Sequence, residues 1–280
     1  MSEFEYLSKI ALGQYLPVDS PIHRLNPGIK LAGYILLILA VTLSKQLAGL
    51  GIALIAIFLL LLLSQIPIPF ALRGLRSPLP FILILAIFQF FMISQRSSET
   101  PFFTWHFLRA TMDGLLSSGI LCLRFFELIL LLSAASSTLS TLEIVYGLDI
   151  LLRPLSWLGF STAQASMIIQ IMLRFLPSLA LSAEKIAKAQ ASRGAAWGNP
   201  KAGLIQKGRQ LLPFLVPLFI VNLQQADALA NAMLARCYGF NQKRTSLTDY
   251  SFGWNDALSL AAVLVFSVLI VFFTGTRFVF

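Results

Sequence analysis

Charge is scarce in this chain: of 280 residues only 12% are Asp, Glu, Lys or Arg, and the acids number 12 in all. Soluble domains carry about twice that charged fraction, so an ordinary water-facing surface is excluded. Histidine is scarcer still, with His23 and His106 far apart in sequence. No His-Glu-x-x-His zinc helix and no Gly-x-Ser-x-Gly nucleophile turn occurs, which leaves no signature of a metal or triad enzyme. No Gly-Lys dipeptide occurs either, so the chain holds no Walker phosphate loop and ATP-driven work would need another subunit. The two cysteines, Cys122 and Cys237, lie in different segments without metal-ligand or redox spacing. A cleaved signal is not expected, because Glu3, Glu5 and Asp19 interrupt any basic opening region.

What the chain has instead is apolar length. Hydrophobic residues make up 57% of it, and the mean hydropathy is +0.80, which implies an integral membrane protein. Leu47 to Leu63, Gly114 to Ala135 and Ala257 to Thr274 approach the roughly 20 residues that cross a hydrocarbon core about 30 Å thick. Leu31 to Leu43 and Leu79 to Ile93 are shorter but flanked by polar residues, and with them the expected number of spans is five. The segment Glu184 to Arg244 holds nine Lys and Arg against two acids, which places it in the cytoplasm. Arg73 and Arg76 then also fall inside, the loop Ser94 to Asp113 falls outside, and the amino terminus is cytoplasmic.

Between the fourth and fifth spans, Ser136 to Asp256 is helical in pattern but interrupted by charge and proline too often to supply further lipid-crossing helices. Thr141 to Pro154 sets Ile144, Leu148, Leu151 and Leu155 at helical spacing, as an interfacial amphipathic helix does. Thr162 to Arg193 reads as one helix bent at Pro177, and Leu204 to Tyr238 repeats its plan. Each ends in arginine with glycine just beyond, at Arg193-Gly194 and at Arg236 with Gly239. Helix capping explains one such end, since glycine takes the left-handed cap cheaply and a cation gains from the helix dipole. Repetition favours a shared role. Alanines 187, 189 and 191, and 226, 228, 230, 232 and 235, would also let two helices cross closely.

Four stretches together carry a family resemblance: Gly13 to Pro27, Leu173-Arg174-Phe175-Leu176-Pro177, Ala191-Ser192-Arg193-Gly194, and Ala235-Arg236-Cys237. In that order they resemble the transmembrane T component of energy-coupling factor transporters, the vitamin and metal-ion (cobalt or nickel) importers of prokaryotes. The last two resemble the family's paired Ala-Arg-Gly signatures, with Cys237 standing where glycine is usual and Tyr238-Gly239 available for the turn. The resemblance implies that Arg193 and Arg236 dock into grooves of two ATP-binding-cassette subunits, and that the membrane part holds a substrate-binding S component. It implies no cofactor bound by this chain, ATP and magnesium on the partner subunits, a prokaryotic cell membrane, and no nucleic-acid partner.

The expected architecture is therefore an all-α integral membrane protein: about five transmembrane helices plus a cytoplasmic coupling domain with two long crossing helices. Its parts are an amino-terminal segment 1–30, spans over 31–135, the coupling domain 136–256, a last span 257–274 and a tail 275–280. Arg124 and Glu127, spaced i to i+3 inside the fourth span, are a candidate intramembrane pair, with a contact to the S component or a lipid headgroup as the alternative. Arg174 is a candidate interfacial anchor to anionic lipid. The rival function is a self-contained secondary transporter of a small solute, which would usually show inverted repeats that the unlike halves here do not.

Overall fold

The computed structural model describes residues 16, 18–44, 46–96, 103–105, 108–154, 162–194, 204–240 and 252–273. The elements are α1 (Pro27–Leu43), α2 (Leu47–Ser64), α3 (Ile68–Arg76), α4 (Leu79–Arg96), β1 (Phe103–Trp105), β2 (Leu108–Ala110), α5 (Met112–Thr138), α6 (Thr141–Leu152), α7 (Thr162–Ser192), α8 (Leu204–Ala235) and α9 (Trp254–Phe272). The fold is all-helical in class, and β1 and β2 form one antiparallel ribbon with Thr104 opposite Arg109.

Five helical stretches are long and apolar enough to cross a membrane: α2, α5, Gln164–Ser192, Leu211–Ala235 and α9. The number matches the expectation and the set does not. Helix α1 has 17 residues, and α4 joins α3 across a 63° bend, so that this pair can count as one broken span. Conversely, α7 and α8 run unbroken through Pro177 and through Pro213 and Pro217, and their apolar stretches pass the length test that their prolines and charges argued against. Proline removes one backbone bond and bends a helix, but neighbouring turns carry it through. Helix α3 carries Arg73 and Arg76, which the sequence placed between two spans without assigning an element to them.

The chain divides into two compact units among the described residues. One is built from α1 to α6 with α9, the other from α7 and α8. In the first unit, Leu37 and Val41 of α1, Leu50 and Ile57 of α2, Leu131 of α5 and Ile270 of α9 form the buried core. Around it, large apolar side chains such as Phe58, Phe88 and Val268 are exposed, the pattern of a surface solvated by lipid rather than water.

Helix α6 belongs with this unit rather than with the coupling segment that the sequence grouped it with. It lies on α1 through glycine: a Cβ at Gly147 would meet the Pro27 carbonyl oxygen at 3.0 Å, and one at Gly28 would meet Ile150 at 3.1 Å. Val145 and Gly147 are buried while Leu148 and Leu151 of the expected stripe stay exposed. That outward stripe is what an interfacial helix offers to lipid.

Polar contacts fasten the corner between α5 and α6. The Lys30 ammonium, 1% exposed, donates to Glu143 Oε1 and to the His23 carbonyl, each at 2.9 Å. Glu143 Oε2 accepts from the Ser140 N–H, and Ser140 Oγ accepts from the Glu143 N–H, a reciprocal cap at the start of α6. One turn along α1, Tyr34 shares a 2.8 Å hydrogen bond with Thr138. At the start of α9, the Asp256 carboxylate accepts from the Gly253 N–H and from the Asn26 N–H, both at 2.9 Å. Asn26 in turn caps α1 by accepting from the Gly28 N–H.

Candidate functional site

Helices α7 and α8 cross. Leu173, Phe175 and Leu176 of α7 face Asn222, Gln225 and Leu229 of α8 across an apolar cavity of about 470 Å³. The Leu-Arg-Phe-Leu-Pro stretch is therefore the crossing point, with Arg174 exposed outside the cavity lining. Beyond it the Tyr238 hydroxyl donates to the Met167 sulfur, so the end of α8 runs back toward the start of α7. The two carboxyl ends thus leave the crossing in opposite directions. At about 1.5 Å per residue, Arg193 stands roughly 27 Å from Phe175 along α7, and Arg236 roughly 15 Å from Ala226 along α8.

Both tips close by the same rule. After Ala191 and Ser192 end α7, Arg193 is the cap residue and Gly194 follows at φ +81°, its N–H donating to the Ala191 carbonyl at 3.0 Å. After Ala235 ends α8, Arg236 is the cap residue and Cys237 follows at φ +56°, its N–H donating to the Leu234 carbonyl at 2.9 Å. The Tyr238 N–H then reaches the Met233 carbonyl at 2.9 Å, completing a Schellman cap. So Cys237 itself takes the left-handed turn, and Gly239, at φ +97°, adds a second one behind it. The segments Ala191–Gly194 and Ala235–Gly239 are exposed, and with them both guanidinium forks, a geometry suited to carboxylates. Below Arg193, the Lys188 ammonium pairs with the buried Glu184 carboxylate at 2.6 Å.

A side chain with Cβ in the left-handed region costs about 1–2 kcal/mol, and glycine gives back about 0.5–1 of that as lost chain entropy. Cys237→Gly is therefore expected to slow amide exchange at residue 238 by up to about fivefold, whereas Cys237→Val speeds it. Exchange faster in the glycine variant would contradict this account of the tip.

The other site residues do not gather here. Arg124 and Glu127 share a face of α5 but make no ion pair within 4.0 Å. Arg124 instead donates through Nη2 to the Ser44 carbonyl, an acceptor left over at the end of α1, where helix carbonyls lack partners and carry partial negative charge. Glu127 is fully buried, and neither of its carboxylate oxygens has a hydrogen-bond partner among the described residues. The sequence reading missed Lys30, Glu143, Asn26 and Asp256. A lysine three residues after Pro27, just before the apolar run at 31, was the available signal.

Residues 19–247 match the family model described as cobalt transport protein. The energy-coupling factor transporter transmembrane protein of Clostridium kluyveri is 33% identical over 259 residues, covering 92% of this chain and 94% of the relative. That of Acidaminococcus fermentans is 33% identical over 266 residues, 95% and 97% of the two chains, and that of Lactococcus lactis is 29% identical over 267 residues, 95% and 98%. With the matched family covering both tips and both proteins aligning nearly end to end, this membrane-embedded chain belongs to the family of energy-coupling factor transporter transmembrane proteins, the T components.

Proposed function

We propose that this chain is the coupling subunit of an ATP-driven importer, carrying the motion of two cassette ATPases to a membrane-embedded S component that binds a vitamin or metal ion. ATP and magnesium are held by the ATPases, the chain itself is not catalytic, and its amino terminus and both arginine tips lie in the cytoplasm. The observation that carries the reading is the equivalence of Arg193 and Arg236. Each is an exposed cap residue followed by a left-handed turn, and they project to opposite sides of one helix crossing. A lone capping arginine needs no such duplication. ATP-driven approach of the two ATPases would turn the helices about the crossing, and the exposed apolar flanks of α7 and α8 would pass that motion to the S component. The proportion of their crossing-length stretches buried within this chain is 0%, which leaves that surface for a partner or for lipid.

Uptake by proteoliposomes tests it. With ATPases and S component recovered from native membranes, uptake is expected to follow ATP hydrolysis, and the chain alone is expected to transport nothing. Solute accumulation by the chain alone would establish a self-contained transporter instead.

A further inference from the structure

The backbone caps of the two tips match, but the side chains around them do not. Over the last turns of α7 the exposed residues are small or basic: Lys185, Lys188, Ala189, Ala191, Ser192 and Arg193. Among the described residues, no large apolar side chain is exposed from Glu184 to Gly194. At the end of α8 the balance is reversed. Arg236 is the one basic residue from Gln224 to Phe240, and near it Leu234 is 69% and Phe240 94% exposed.

The backbone keeps Phe240 at the tip. Its N–H donates to the Cys237 carbonyl at 3.3 Å, in a turn that passes through Gly239 at φ +97°, where a side chain would be strained. The ring is thereby held four residues from Arg236. Folding of the chain gains almost nothing from a ring left so open to its surroundings.

The face below the tip decides between lipid and water. Gln224, Asp227, Asn231 and Leu234 recur at i, i+3, i+7 and i+10, so they share one side of α8, and all four are exposed. Hydrocarbon does not solvate an aspartate flanked by two carboxamides. That side therefore lies outside the bilayer core, and Arg236 to Phe240 lie farther still from the apolar run Leu211 to Leu223. One exposed leucine in water is ordinary. An open aromatic ring beside an arginine is the composition of the energetic centre of a protein interface, which is rich in both and poor in lysine.

We infer that the end of α8 is a two-part docking surface for one of the ATPases: Phe240 enters an apolar pocket of that subunit, Arg236 meets a carboxylate beside the pocket, and Leu234 covers the rim. This rests on the coupling reading. The groove that receives α8 pairs an apolar pocket with its acid, whereas the small and basic end of α7 calls for acid alone. The two tips are then not interchangeable, since each groove would leave part of the other tip unmatched.

A photoreactive benzoylphenylalanine placed at position 240 of the full chain is expected to cross-link to an ATPase in the assembled transporter. Phe240→Ser, an exposed change outside the helices, is expected to raise the ATPase concentration that half-saturates the chain by about thirtyfold, the effect of losing one interface hot spot. Phe240→Leu keeps an apolar side chain and is expected to raise it less. Cross-linking to lipid or to the S component, or a Phe240→Ser protein that binds ATPases as wild type does, would overturn the proposal. The two readings fail apart: wild type that holds no ATPase would sink both, while wild type and Phe240→Ser that hold them equally well would sink this one alone.

Discussion

Arg193→Glu combined with Arg236→Glu is expected to strip both ATPases from the purified assembly and to reduce ATP-driven uptake to background, while the protein inserts and melts as wild type does. Loss of one desolvated, hydrogen-bonded charge at an interface costs about 2–5 kcal/mol, and reversal adds repulsion against the partner's carboxylates. At 1.4 kcal/mol per tenfold, two such losses weaken binding by at least about a thousandfold. Folding is spared because both tips are exposed and their caps are made by backbone groups rather than by the guanidinium. The single variants distinguish docking from capping. Since the tips point away from one another, each single reversal should weaken one ATPase contact and leave the other, whereas a capping role would leave both. Arg→Lys at either tip keeps the charge and loses the planar fork, and is expected to fall between. Co-purification stoichiometry and uptake measure all of these, and normal assembly of the double variant would end the docking assignment.

The second large effect belongs to Lys30 and Glu143. Removing one member of a buried ion pair typically costs about 3–5 kcal/mol, because the survivor keeps its desolvated charge. Lys30→Met is expected to lower the thermal midpoint sharply in detergent, and Glu143→Ala to lower it further, since Glu143 also holds the cap of α6. Joining the two changes should cost less than their sum, for then no charge is stranded. Strict additivity of the midpoints would show that the pair contributes nothing as a pair.

Long apolar runs made α2, α5 and α9 legible in the sequence, because lipid demands about 20 residues of one character. The tips were legible too, since arginine followed by a turn residue is a local signal. Less legible was anything whose partner lies far along the chain. Lys30 and Glu143 are 113 residues apart and Asn26 and Asp256 are 230, so no spacing rule joins them. Arg124 and Glu127 show the limit of a local rule. Their i to i+3 spacing puts both charges on one face of α5, but spacing alone does not show that Arg124 also donates to the Ser44 carbonyl, 80 residues away. Pro177, Pro213 and Pro217 suggested interruptions in helices that the structure carries through them. At Cys237 the sequence offered Gly239 for the turn, yet hydrogen bonds to Leu234 and Met233 fix it two residues earlier.

The two arms that leave the contact region of α7 and α8 are unequal. Arg193 stands roughly 27 Å out from Phe175 and Arg236 roughly 15 Å out from Ala226. Any turn of both helices about that region therefore carries the α7 tip through nearly twice the arc of the α8 tip. Two partners that moved by the same amount would act on levers of different length, so a single asymmetric chain would turn one symmetric motion into an unequal one.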